Sequence, residues 1–264
     1  MKRPRNVMEK FNLPGRHALV TGGTCGIGKA ITIGLMQTGA NVIATRTSRD
    51  KVDDRFEREL QELGLALPLI LEGDVADETD VERMLDQAQQ HAGHISVLVN
   101  NAGINLTGAI ETYAKDDFDR TMSVNVTGMF LCCKHVGKNM IENGGGSIIN
   151  VGLINGEVVN VPIKQTPYGA SKAAMNIFSK CIAAEWAEHG IRANVIAPGF
   201  TATDMVNERL AKNPDPNDIW LSGVPLDRIA EPEEIAGAVV CLAWDASSYI
   251  TGSVVTVDGG YTVL

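Results

Sequence analysis

No apolar run in this sequence approaches the ~18 residues a helix needs to cross a bilayer, so no transmembrane helix is expected. The start, MKRPRNVMEKF, is basic but has no signal-peptide core, and residues 1–12 read as a frayed leader. Positive charge is in deficit. Lys and Arg total 23 against 32 Asp and Glu, for a formal net charge of −9 and a sequence pI near 5.1. That balance argues against general binding to nucleic acid or to an anionic membrane. Cysteine pairs are missing as well: there are five cysteines and no C-x-x-C. Four of the five sit in apolar helical patterns and read as small buried thiols in a reducing, cytoplasmic compartment. His91 and His94 form an H-x-x-H, but no third ligand accompanies them, so no metal is expected. There is no internal repeat and no low-complexity linker.

What is present is enough for one large domain. The chain has 264 residues, of which 44% are hydrophobic and 21% charged, a composition suited to a full core and not to disorder. Short apolar segments alternate with helical patterns. Strands are read at HALVTG (17–22), NVIAT (41–45), LPLILEGDV (67–75), SVLVNNAG (96–103), GSIINVG (146–152), IRANVIAPG (191–199) and SVVTVDGG (253–260). Helices are read at 27–37, 52–63, 77–90, 119–141 and 171–190. The strands are apolar without strict alternation, as burial on both faces requires. The expected fold is α/β: a single-domain Rossmann fold over residues 13–264, with a doubly wound parallel seven-stranded sheet and helices on both faces. Residues 200–230 are the least regular stretch and read as a substrate lid or as a plain surface excursion.

The segment TGGTCGIG (21–28) follows a strand and opens a helix. Glycines let a backbone approach a phosphate closely, and a helix N-terminus offers free N–H groups and the positive end of a dipole. Asp74 and Val75 end the third strand, where they could take an adenine amino group. Asn101, Ala102 and Gly103 end the fourth, beside the same crevice. Tyr168 and Lys172 are spaced i, i+4 and share one helix face. A free phenol, with a pKa of ~10, is a poor base at neutral pH; a neighbouring ammonium should favour the phenolate. Such a tyrosine can give a proton to a developing alkoxide or take one from an alcohol.

TGGTCGIG, DV (74–75), NNAG (100–103), Asn125, Tyr168-x-x-x-Lys172 and PG (198–199) together resemble the short-chain dehydrogenase/reductase family over residues 13–264. The resemblance implies a nicotinamide dinucleotide held by Gly22, Thr24, Cys25, Gly26, Ile27 and Gly28, with Tyr168 and Lys172 reaching it too. It implies a nicotinamide clamp at Pro198, Gly199, Thr201 and Thr203, and a water anchored by Asn125 that passes protons along Lys172. NAD-using members typically carry an acidic residue at the end of the second strand. This chain has Arg46 there, and a guanidinium suits a 2′-phosphate, so NADP(H) is favoured over NAD(H). Cys25 stands where many NADP-using members have a second basic residue.

One departure concerns the chemistry. The family's fifth strand usually ends in N-x-S-S-x-x-G, the second serine bonding the substrate oxygen. Alignment on Asn150 and Gly156 puts Gly152 and Leu153 at the two serine positions. Removing one donor of an oxyanion-type site typically costs about 10²–10³ in rate. Three readings follow. Asn155, Gln165 or Thr166 supplies the bond; or Tyr168 suffices for a more reactive substrate such as an iminium; or the chain is a catalytically weakened dinucleotide-binding scaffold or sensor. The retention of Asn125, Tyr168 and Lys172 favours an enzyme. GEVVNVP and VDGGYT resemble a subset acting on ketoses and polyols, while Met205, Trp220 and Leu221 in the lid hint at a partly apolar pocket. The expected partner is a small carbonyl, alcohol or imine substrate. Apolar helix surface beyond Asp119 and Tyr168 implies a homotetramer or a homodimer.

Overall fold

A computed structural model describes residues 7–47, 54–204, 206 and 221–263 of the chain. Seven strands form one wholly parallel sheet in the order β3-β2-β1-β4-β5-β6-β7. They are β1 (His17–Val20), β2 (Asn41–Arg46), β3 (Leu69–Glu72), β4 (Val97–Asn100), β5 (Gly146–Val151), β6 (Ile191–Pro198) and β7 (Val254–Val257). The order reverses between β1 and β4, and there the carboxyl ends of the strands open a crevice.

The apolar strands face two cores. Leu19, Leu98 and Ile148 point to one, shared with α3 (Glu78–Ala92), α5 (Gly128–Glu142) and α6 (Thr166–Glu185). Val20, Val97, Val99 and Ile149 point to the other, shared with α1 (Gly26–Gln37) and a helix at Pro232–Ala243, called α7 here. Successive side chains alternate faces, so only a strand that is apolar throughout can fill both cores. α2 (Asp54–Glu62) and α4 (Lys115–Met122) are two further helices.

Several elements depart from the sequence reading. The helix expected over 171–190 runs instead from Thr166 to Glu185, so Tyr168 lies within its first turn. The helix expected over 119–141 begins at Lys115 and is broken at Ser123–Thr127 by a π-turn, in which the Gly128 amide bonds the Ser123 carbonyl. Periodicity does not register such a one-residue widening. The third strand ends at Glu72, because Asp74 turns the chain through bonds to Asp80 and Ala76. The sequence reading assigns no element to α7. Its start is nonetheless marked, with Pro232 at the first position and a reciprocal capping box between Glu231 and Glu234. α7 lies against α1, so close that a Cβ on Gly34 would stand 3.3 Å from Val240 Cγ2.

In the leader, Val7–Lys10 forms a 3-10 turn and the Phe11 ring meets Trp244 edge-on at 4.9 Å. In the expected lid, Thr201 bridges Ala230. Met205 and Trp220 lie outside the described residues, and Leu221 is half-buried.

Candidate active site

The glycine-rich turn links β1 to α1. Gly22 and Gly26 have φ of +60° and +52°, where a side chain is strained. At Gly28 only a hydrogen fits, since a Cβ would meet the Gly22 carbonyl oxygen at 2.1 Å. The turn is stitched to the end of β4. The amides of Asn101 and Ala102 both donate to Thr21 Oγ1 at 3.0 Å, and Asn101 Nδ2 donates to the carbonyls of Thr21 and Gly22. Thr24 is buried, Cys25 is exposed at the N-cap of α1, and Ile27 is half-buried. Cys25 makes no side-chain cap bond, and the first intrahelical donor is the Lys29 amide. The amides of the first turn therefore face the crevice end of the sheet without helical partners.

The other predicted contacts lie at or just beyond the carboxyl ends of neighbouring strands. A Cβ on Gly26 would lie 3.7 Å from Thr203 Cγ2, so the clamp segment stands directly across from it. Pro198 closes β6, Gly199 donates to the Val257 carbonyl, and buried Thr201 gives its hydroxyl to the Gly199 carbonyl at 3.1 Å. Asp74 accepts the Ala76 amide, and Val75 is buried against Gly128. Arg46 ends β2 with its guanidinium on Glu72, its register partner on β3.

Asn125, Tyr168 and Lys172 meet at the floor of the crevice. A Cβ on Gly103 would stand 3.2 Å from Asn125 Oδ1 and 3.7 Å from Lys172 Nζ, so Gly103 gives both side chains room. Asn125 is 1% exposed. It accepts the Ile104 amide at 2.8 Å and donates to the Ile104 carbonyl and to Ser171 Oγ, both at 3.0 Å. Both of its amide hydrogens are thus committed within the protein, leaving none for a water. Ser171 in turn donates to the Tyr168 carbonyl at 2.7 Å.

Lys172 is 3% exposed. Its ammonium donates to the Val151 carbonyl at 2.8 Å and lies 5.4 Å from the centroid of the Tyr168 ring. Burial without a counter-charge pulls the Lys172 pKa down to about 8. Burial likewise pushes Tyr168 up to about 12. In the protein alone, desolvation therefore keeps the Tyr168 phenol protonated.

Leu153 is half-buried and extended where β5 opens into a 3-10 turn at Ile154–Gly156. At Gly152 a Cβ would collide with Val195 Cγ1 at 2.7 Å, so this backbone has no space for the first serine either. Of the three polar candidates, Thr166 is exposed at the start of α6, whereas Gln165 is buried just before it. Gln165 Oε1 accepts from Asn105 Nδ2 at 2.9 Å. Asn155 Oδ1 and Asn105 Oδ1 are buried and unpartnered. The sequence reading missed Asn105, Ser171, Thr21 and Glu72. The first three have a local signal, sitting beside NNAG, inside YGASK and at the start of TGGTCGIG.

Comparisons with known proteins agree with this geometry. Residues 22–262 match the family profile described as enoyl-(acyl carrier protein) reductase. Galactitol 2-dehydrogenase (L-tagatose-forming) of Cereibacter sphaeroides is 40% identical over 258 residues, covering 96% of this chain and 97% of the relative. A 3-oxoacyl-(acyl-carrier-protein) reductase of Thermotoga maritima is 38% identical over 253 residues, covering 96% of this chain and all of the relative. The crystal structure of a gluconate 5-dehydrogenase from Burkholderia cenocepacia J2315, in complex with NADP and tartrate, superposes with a TM-score of 0.90 at 32% identity. It covers 98% of this chain and 100% of that one. With fold, glycine-rich turn and tyrosine–lysine pair in place, the chain belongs to the short-chain dehydrogenase/reductase family and is an NAD(P)-dependent oxidoreductase.

Proposed function

We propose that the protein exchanges hydride between NADP(H) and the carbonyl or secondary alcohol of a polyhydroxylated small molecule, with Tyr168 as acid and base. The observation that carries this reading is the pair itself: the buried Lys172 ammonium 5.4 Å from the half-buried Tyr168 ring, beside Gly103 at the carboxyl end of β4.

The residues fit the dinucleotide. Gly22, Gly26 and Gly28 form a cradle that side chains would fill, and the free amides of α1 suit a pyrophosphate. Arg46 suits a 2′-phosphate, Asp74 and Val75 flank the adenine end, and Thr203 with the backbone at Thr201 suits the carboxamide. When bound, the cofactor supplies or accepts the hydride. In the reducing direction Tyr168, a neutral phenol at pH 7, donates its proton to the substrate oxygen. Lys172, charged below about 8, stabilises the phenolate left behind. Asn125 holds Ile104 and Ser171, and so fixes the loop after β4 against the first turn of α6.

At the substrate end the missing hydroxyl leaves amides. Asn105, Asn155 and Gln165 present buried or half-buried groups, two of them with an unpartnered carbonyl oxygen. Such acceptors suit substrate hydroxyls. The names of the galactitol and gluconate dehydrogenases support the same substrate class. Exposed Phe118, Phe130 and Ile177 on α4, α5 and α6 support pairing of these helices across a two-fold, as in a homodimer or homotetramer.

The test is loss of NADPH absorbance with ketoses, cyclic ketones and imines, with Tyr168→Phe beside the parent. Turnover of ketoses that Tyr168→Phe abolishes supports the reading. Undiminished turnover in Tyr168→Phe removes the acid assignment. NADPH binding without turnover of any substrate favours the scaffold alternative, which the loss of both serine hydroxyls keeps open.

A further inference from the structure

The carboxylate beside Arg46 has no part in the reading above. Glu72 and Arg46 are the last register pair of β2 and β3. Their side chains form an ion pair, the arginine 17% exposed and the carboxylate 51%. Among the described residues Glu72 is the guanidinium's one side-chain partner, and Arg46 Nε is buried with none. Glu72 is itself held in place: Arg83 donates to its backbone carbonyl at 2.8 Å and pairs with Asp80, which in turn accepts the Asp74 amide. The carboxylate therefore stands on a pinned backbone at the point where β2 would meet an adenosine ribose.

We propose that Glu72 determines cofactor preference by occupying Arg46, so that the protein discriminates between NADP(H) and NAD(H) less sharply than a free arginine would. This rests on the assignment of Arg46 to the 2′-phosphate. A guanidinium binds carboxylate and phosphate through the same planar donor fork. A 2′-phosphate must take donors from Glu72 and bear the repulsion of a carboxylate on the same guanidinium. A ribose 2′-hydroxyl carries no charge, so the pair costs NAD(H) little. The effect is electrostatic at a partly exposed site, so rising salt weakens it.

The experiment measures dissociation constants of NADP+, NAD+ and 2′,5′-ADP for the parent, Glu72→Gln, Arg46→Ala and the double variant, with thermal melts of each. Glu72→Gln is expected to tighten NADP+ and 2′,5′-ADP by about tenfold, the scale of one partly screened charge, with NAD+ changed less than twofold. In the Arg46→Ala background the same change should alter NADP+ affinity far less, since the coupling runs through the arginine. If Arg46→Ala weakens NADP+ but Glu72→Gln does not tighten it, the inference fails while the 2′-phosphate assignment stands. If Glu72→Gln lowers the melting temperature and weakens both cofactors alike, Glu72 is only a cross-strand staple and the inference fails. If Arg46→Ala leaves NADP+ affinity unchanged, the 2′-phosphate assignment falls and the inference with it.

Discussion

The ammonium of Lys172 is turned onto the Val151 carbonyl, 2.8 Å away, while the Tyr168 ring it accompanies lies at 5.4 Å. One carbonyl is meagre solvation for a buried charge. The descent of the lysine pKa from 10.5 to about 8 corresponds to roughly 3 kcal/mol of unfavourable burial at neutral pH. Lys172→Met should therefore abolish turnover, by about 10³ or more, while raising stability by up to ~3 kcal/mol. Urea denaturation beside an NADPH assay checks both. A variant that is less stable and still active would contradict the assignment.

The same pair predicts how stability changes with pH. Lys172 holds fewer protons folded than unfolded between about 8 and 10.5, so its penalty is relieved as pH rises through that window. Tyr168 keeps its proton up to about 12 when folded, against 10 in the open chain. Its contribution is complete below 10 and lost as pH rises through 12. Between pH 8 and 10 the parent should gain stability by about 1 kcal/mol per pH unit at most, and Lys172→Met should not. The kcat/KM for reduction should fall above about 8, as Lys172 loses the charge that steadies the phenolate.

Much of this arrangement was legible in the residues. The strands announced themselves because burial on both faces demands unbroken apolar runs. Gly28 and Gly22 belong to a motif whose spacing encodes the turn, and Tyr168 and Lys172 declare their shared face by an i, i+4 step. The rest depends on registers and directions that no local pattern carries. Glu72 reaches Arg46 only because β3 pairs with β2 in one register. Thr21 binds Asn101 and Ala102 across 80 residues of chain. The π-turn at Ser123–Thr127 needs a single extra residue, invisible to a 3.6-residue period. The orientation of the Lys172 ammonium onto the Val151 carbonyl, and the desolvation that raises Tyr168, follow from burial that the sequence does not state.

The end of β5 allows a prediction about the lost hydroxyls. Leu153 is half-buried in an extended conformation that any residue tolerates. Leu153→Ser should fold and raise turnover of a simple ketone by up to about 10², the scale of one donor to a developing oxyanion. Gly152→Ser should behave otherwise. Its Cβ would meet Val195 Cγ1 at 2.7 Å inside the core, an overpacking cost of about 1–3 kcal/mol. Adding Val195→Ala should recover part of that loss. Equal melting temperatures for the parent and Gly152→Ser would show that the strand end has more room than this geometry provides.

Asn125 separates a positioning role from a proton relay. Its side chain makes three bonds, two to the backbone of Ile104 and one to Ser171, whose hydroxyl continues to the Tyr168 carbonyl. Asn125→Ala would leave the Ile104 amide and carbonyl without partners next to the buried lysine, at a cost of about 2–4 kcal/mol. It would also release the loop that carries Gly103 and Asn105. Asn125→Asp keeps the acceptor for the Ile104 amide but loses both donors, and it brings a carboxylate towards Lys172. That charge should raise the lysine pKa and move the alkaline fall of kcat/KM to higher pH. A side chain that served only to hold a relay water would lower kcat with stability intact. The two roles therefore differ in the urea denaturation of Asn125→Ala, and the bonds found here predict a loss of stability.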